Sequence, residues 1–171
     1  METWDAIRAR RNVRQYQDRP IPPEHLDQVL EAGRRSPSSR NWQPWDFVVV
    51  TDRDRLQHLS EVWRGAKHVA SSAATIAVIA PKPDDDFQKT WLPYDLGQAT
   101  AMIMLAAADL GIGSGHSAVA DQDLARTVLG FPEDRYLAYL IALGYPADRP
   151  LRPIAHPMRR PFEEVVHREH W

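Results

Sequence analysis

The chain has 171 residues, 43% hydrophobic and 26% charged, which is enough for one domain with a sizeable core and too apolar for disorder. Its 21 Lys and Arg stand against 23 Asp and Glu, a formal net charge of -2, so neither nucleic acid nor an anionic membrane is an expected partner and any anion site must be local. No cysteine is present, which excludes disulfides, thiolate metal sites and cysteine nucleophiles.

The opening residues, Met1-Glu2-Thr3-Trp4-Asp5-Ala6-Ile7, carry early acids and no apolar h-region, so no signal peptide is expected. The longest apolar run, Ala99 to Ala108 with Thr100 inside it, is too short to span a bilayer. A soluble, cytoplasmic protein is the expectation. Thr3 as a cap with Trp4 and Ile7 on one face predicts a short helix running into Arg8, Arg10, Arg11 and Arg14. Pro20-Ile21-Pro22-Pro23 starts a second helix with Leu26, Val29 and Leu30 on one face, ending at Gly33-Arg34-Arg35.

Phe47-Val48-Val49-Val50 suits a buried strand, and Thr51-Asp52 restarts a helix toward Trp63. Ala73 to Ala80 is a second buried-strand candidate, closed by Pro81-Lys82-Pro83 and followed by a solvated tip at Asp84-Asp85-Asp86. Tyr94 to Leu110 makes the strongest helix, with Leu96, Ala99, Met102, Ile103 and Ala106 on one stripe and further apolar residues around it. A helix apolar nearly all round must be buried on most sides, inside a domain or against a second subunit. Gly111 to His116 reads as a turn or short strand, Asp121 to Leu129 as a helix, and Tyr136 to Leu143 as another buried strand. From Pro146 onward, prolines at 146, 150, 153, 157 and 161 forbid a helix and favour an extended arm. The arm ends in Phe162, Val165, Val166 and Trp171, so it is expected to pack on something, a partner chain included.

Three constellations bear on function. Ser36-Pro37-Ser38-Ser39-Arg40-Asn41-Trp42-Gln43-Pro44-Trp45 offers hydroxyls and amides to the edge of a planar polar ligand, with prolines stiffening the backbone; alone it also fits a helix stop before a strand, with the two indoles in the core. Arg8, Arg10, Arg11 and Arg14, with Arg149, Arg152, Arg159 and Arg160 in the arm, form one phosphate site if the fold joins them; exposed arginines paired with surface acids are the alternative. Gly111-Ile112-Gly113-Ser114-Gly115-His116 permits close backbone approach to a ring, although Gly111 is equally explained as a helix C-cap. The seven histidines show no metal spacing, and no nucleophile elbow or Walker loop is present. Without an evident acid, base or nucleophile, a cofactor is expected to carry the chemistry.

Arg10-Arg11-Asn12-Val13-Arg14-Gln15-Tyr16, the Ser36 to Trp45 loop, Leu110-Gly111-Ile112-Gly113, Ile141-Ala142-Leu143-Gly144-Tyr145-Pro146 and Arg159-Arg160-Pro161-Phe162-Glu163-Glu164-Val165-Val166-His167 together resemble the FMN-dependent nitroreductase family, in the family's order. The resemblance implies one FMN-binding domain over residues 1–171, with an α+β fold. A central mostly antiparallel sheet would be flanked by helices in an intertwined homodimer, with residues 146–171 as the extended C-terminal arm. It also implies that Arg10, Arg11, Asn12 and Arg14 hold the phosphate, ribityl chain and ring edge, and that Arg159 and Arg160 return to the phosphate. Pro37, Ser38, Ser39 and Asn41, with Gln43 nearby, would come from the other subunit, and backbone amides around Ile112 and Gly113 would lie against the isoalloxazine. The implied activity is ping-pong hydride transfer from NADH or NADPH through FMN to a small electron-poor acceptor such as a nitroaromatic or quinone, with no catalytic acid or base and no metal. A non-catalytic flavin-binding or sensing dimer, or a deazaflavin-using or dehalogenating relative, shares the same motifs. The chain departs from the family at Asn12, where serine is common, at Met158 or His156, where a lysine is common, and at His116, where an aromatic residue is common. Pro81 to Trp91 is the best candidate for a small lid.

Overall fold

Apolar runs build three of the four strands, β-branched ones the first two, and the computed structural model describes their setting over all residues Met1–Trp171. Strands β1 (Asp46–Val50), β2 (Ala74–Pro81), β3 (Gly113–Ser117) and β4 (Arg135–Gly144) form one sheet in the order β1-β2-β4-β3, every pair antiparallel. The α+β expectation is met, with helices α1 (Thr3–Ala9), α2 (Pro23–Arg34), α3 (Arg53–Leu59), α4 (Asp86–Asp109) and α5 (Gln122–Leu129) around it.

The strand period of two divides the core. Ala74, Ile76, Val78 and Ala80 face one way, packing with Val29 of α2 and with Leu92, Leu96, Ala99 and Ile103 of α4. Ala77 and Ile79 face the other way, against Leu56 and Leu59 of α3 and Ala125 of α5. A register shift after Val78 moves the β4 partner from Tyr139 to Leu137. β1 is an edge strand, so it is less buried than its composition predicts: Val49 is 37% exposed.

Two boundaries differ from the sequence expectation. α4 begins at Asp86 rather than near Tyr94, because the Asp85 side chain caps it by accepting from the Gln88 amide at 2.7 Å, and the helix continues through Pro93. The acidic triplet is therefore a helix start, and Asp86–Trp91 are helical turns rather than a lid loop. α3 stops at Leu59, four residues before Trp63, where the chain turns. No helix is long and apolar enough to cross a membrane.

α4 is not enclosed on all sides. Trp91, Tyr94 and Met102 remain exposed on it, as do Trp4 and Ile7 of α1. Beyond Gly144 the chain forms no helix or strand except a single turn at Phe162–Glu164, and from Ala155 to Trp171 every residue is exposed. The arm touches the body where the Ile154 amide donates to the Arg8 carbonyl at 3.1 Å.

Candidate cofactor site

After Ala9 the chain leaves the helix and runs extended beside β3, which explains how the arginine-rich segment is positioned. The Val13 amide donates to the Ser114 carbonyl at 2.9 Å, Asn12 and Ser114 form a parallel bridge, and the Val13 side chain is buried. Gly115 makes this approach possible: a Cβ there would overlap the Val13 carbonyl oxygen. Behind the contact sits a polar node. The Tyr16 hydroxyl donates to the Val13 carbonyl at 2.7 Å and lies 3.3 Å from the Ala142 carbonyl, and the His68 Nε2 is 3.2 Å from the Gly115 carbonyl. Because a carbonyl only accepts, Nε2 carries the proton. Burial pushes the Tyr16 phenol above its usual range and holds His68 below the usual histidine value, the nearby Arg14 charge adding to the latter.

The arginines of this segment diverge. Arg10 opens onto a cavity of about 610 Å³ lined by Ile7 of α1, by Gly97, Thr100, Ala101, Met104 and Leu105 of α4, by His116 of β3, by Tyr139 of β4 and by Arg159 of the arm. Arg11 turns away, donating through Nη2 to Asp148 Oδ1 at 2.8 Å and to the Arg149 carbonyl at 2.7 Å, so it fastens the root of the arm. That contact holds the Asp148 carboxyl below the usual carboxylate range. Asn12 and Arg14 are exposed. In the arm, Arg159 reaches the cavity while Arg160 pairs with Glu164, its Nε 3.4 Å from Oε2, and does not line it.

Ile112 and Gly113 do not line this cavity. The Ile112 side chain is fully buried and its amide donates to the Ala107 carbonyl at 2.8 Å, closing the end of α4, so that amide is committed within the fold. Gly113 pairs with Gly144 and packs against Val13. His116, the fourth residue of β3, lines the cavity instead.

The volume lies within the range that encloses a cofactor-sized ligand. Two guanidinium groups from opposite ends of the chain supply charge for a phosphate, while Met104, Leu105, Ala101 and Tyr139 offer apolar surface to a ring. Thr100 also lines this wall, although its hydroxyl itself is buried within the fold without a hydrogen-bond partner. The residues fit FMN. Thr100 also had a sequence signal, as the one polar interruption of the apolar run Ala99 to Ala108.

The Ser36 to Trp45 loop lies elsewhere on the same chain. Trp45 is buried and Trp42 packs on the α2–α4 side of the core, as the structural alternative expected, while Pro37, Asn41 and Gln43 are exposed. None of Pro37, Ser38, Ser39 or Asn41 lines the Arg10 cavity, and Gln43 borders a separate hollow with Trp45 and Phe47. Ser38 Oγ accepts from the Gln43 amide at 2.9 Å, and Arg40, Asn41 and Gln43 take positive φ angles of 54°, 56° and 53°. Arg40 stacks over Phe87 at 4.4 Å, and Phe87 meets Trp42 and Trp91 at 6.1 and 6.5 Å, which fastens the loop to the first turns of α4. One subunit thus carries both sets of candidate residues without bringing them together.

Comparison with known proteins bears on this arrangement. Residues 7–80 and 53–145 match the model of the nitroreductase family. An Archaeoglobus fulgidus protein, provisionally named an NADH dehydrogenase/NAD(P)H nitroreductase, is 36% identical over 99% of both chains. The FMN reductase (NAD(P)H) of Bacillus subtilis is 27% identical over 98% of this chain and 74% of its own. A solved FMN-dependent nitroreductase from Clostridium difficile superposes with a TM-score of 0.84 at 25% identity, covering 97% of this chain and 98% of the other.

Proposed function

The chain belongs to the nitroreductase family, and from that premise we propose that it is an NAD(P)H-dependent FMN oxidoreductase working as a homodimer. The observation that carries the reading is the cavity that Arg10 and Arg159 both line together with apolar residues of α4. A bound FMN would supply the chemistry, ping-pong hydride transfer from NADH or NADPH to an electron-poor acceptor such as a nitroaromatic or quinone.

The chain's own residues bind and orient. Arg10 and Arg159 neutralise the phosphate, Asn12 and Arg14 extend the donor set along the same segment, and Arg160 adds charge from the arm. Positive charge at this wall would also favour negative charge on a bound ring. His116 places a polar side chain on the cavity wall. Pro37, Ser38, Ser39 and Asn41 of one subunit serve the flavin of the other, with Gln43 beside them, because they stand apart from the cavity of their own chain. The exposed Trp4, Ile7 and Met102, and the exposed arm residues Phe162 and Trp171, supply apolar surface that a second copy of the chain would cover.

The test is direct. The purified protein is expected to be yellow, to run as a dimer, and to bleach anaerobically when NADH or NADPH is added. Yellow protein that does not bleach would make it a flavin-binding or sensing module, and colourless protein that takes up no added FMN would end both readings.

A further inference from the structure

Asp95, in the middle of α4, is the one carboxylate or cation among the buried residues, with 0% of its surface accessible. A buried carboxylate is tolerated where its oxygens are hydrogen-bonded, and here nearly all the donors come from one residue. The Ser39 amide lies 3.0 Å from Oδ1 and 3.0 Å from Oδ2, and the Ser39 hydroxyl donates to Oδ1 at 3.0 Å. Gln98 Nε2, on the same helix, adds a longer contact of 3.5 Å.

Immediately after Ser39 the backbone enters the left-handed region at Arg40, Asn41 and Gln43, which non-glycine residues rarely adopt. Such a conformation persists only where its surroundings over-determine it. The Asp95 link grips the first residue of the turn on its backbone, and the turn presents Asn41 outward. The cavity lining of α4 begins two residues further on, at Gly97.

We propose that Asp95 is a positioning residue for cofactor binding: it fixes the Pro37 to Asn41 loop on the helix that also walls the Arg10 cavity, so that the loop reaches a partner's flavin already in its binding conformation. The inference rests on the reading given under Proposed function. Ser39 then acts in part through Asp95, its hydroxyl hydrogen being engaged there.

The test uses the full-length apoprotein titrated with FMN by fluorescence, with visible circular dichroism of the bound flavin and the melting temperature of the apoprotein read in parallel. Asp95→Asn keeps the shape of the side chain but turns one oxygen into a donor. It is expected to weaken FMN binding on the order of ten- to a hundred-fold and to alter the dichroism of the bound flavin. Ser39→Ala is expected to weaken binding several-fold, and the double variant no further than Asp95→Asn alone, because both changes cut one link. Unchanged affinity and dichroism with a lowered melting temperature would make Asp95 merely structural and overturn the proposal. Additive effects would do the same. Should Asp95→Asn not fold, unchanged affinity in Ser39→Ala overturns it. Arg10→Ala separates the two levels: if it weakens FMN while Asp95→Asn does not, only this inference fails. If neither variant matters, or the wild type binds no FMN, the underlying functional reading fails as well.

Discussion

Two polar stretches carry the candidate flavin contacts, and they are held by opposite means. Arg10 to Arg14 is pinned through its backbone: Val13 bridges to Ser114, Gly115 leaves room for the Val13 carbonyl, and Tyr16 caps that carbonyl. Its arginine side chains are free to diverge, one to the cavity, one to the arm, one to solvent. The Ser36 to Trp45 loop has no strand partner and is pinned by side chains, chiefly Asp95 below it and the Arg40–Phe87 stack beside it. The difference teaches where each half is vulnerable. The strand-like half tolerates side-chain truncation as a fold and fails on backbone displacement, whereas the loop half fails when a single supporting side chain changes.

The sharpest way to break that contrast is Gly115→Val. The added Cβ overlaps a backbone oxygen, which has no rotamer to escape into, so the Arg10 to Arg14 segment must lift from β3. We expect about 3 kcal/mol of lost stability in chemical denaturation and loss of measurable FMN uptake. Native stability with native FMN affinity would show that the segment is not held through this contact. Next in size, Arg10→Ala is expected to weaken FMN binding roughly ten- to a hundred-fold, the worth of a charge-assisted hydrogen bond, while leaving the melting temperature nearly unchanged. Arg159→Ala should follow the same pattern with a smaller effect, since the arm that carries it is exposed. A matching fall in stability for either variant would move these arginines from binding to packing. Asn41→Ala on the loop is expected to cost only a few-fold in affinity, because the backbone of the turn and not this exposed side chain is what Asp95 fixes.

What the sequence revealed and what it hid follow the range of the interactions involved. The apolar runs around Val48, Ile76 and Ile141 marked the strands because a strand's pattern is local. Residue chemistry offered Arg10 and Arg159 as members of two arginine clusters that form one site if the fold joins them, but not that it does, since 149 positions separate them and the Ile154–Arg8 contact that brings the arm back leaves no local trace. The start of α4 was hidden by Pro93, which reads as a boundary; the Asp85 cap and the burial of Leu92 outweigh the one missing amide. Asp95 and His68 meet their partners, Ser39 and Gly115, across 56 and 47 positions, which no local pattern marks. Tyr16 and His68 form a node only once the fold brings both side chains to the Gly115–Val13 contact.

The smallest expected effect concerns that node and separates it from the rest of the molecule by pH. His68 faces Tyr16 and Gly115 with Arg14 and His116 nearby, and burial sets its folded pKa below the ordinary value of 6.5. The unfolded chain therefore takes up a proton first as pH falls, so the stability that His68 contributes is fully present above about pH 6.5 and is lost below it. Two carboxyls with lowered values, Glu31 held at about 2 by Arg34 and Arg35 and Asp148 held down by Arg11, lose their contributions only at lower pH, below their ordinary 4.5 and 3.8. The Met1 amine, raised above its ordinary 8.0 by Asp109, loses its contribution only as pH rises toward and past that value. Denaturation of the apoprotein between about pH 7 and pH 5 thus reads chiefly the histidine, with a slope that cannot exceed one proton, about 1.4 kcal/mol per pH unit. His68→Gln keeps a donor for the Gly115 carbonyl but does not titrate, and it should flatten this slope while Tyr16→Phe leaves it intact. Identical slopes in wild type and His68→Gln would place the pH dependence elsewhere. A steeper decline of FMN affinity in the wild type over the same range would tie the node to the arginine segment, because protonation would set a second cation against Arg14 behind the strand that β3 holds in place.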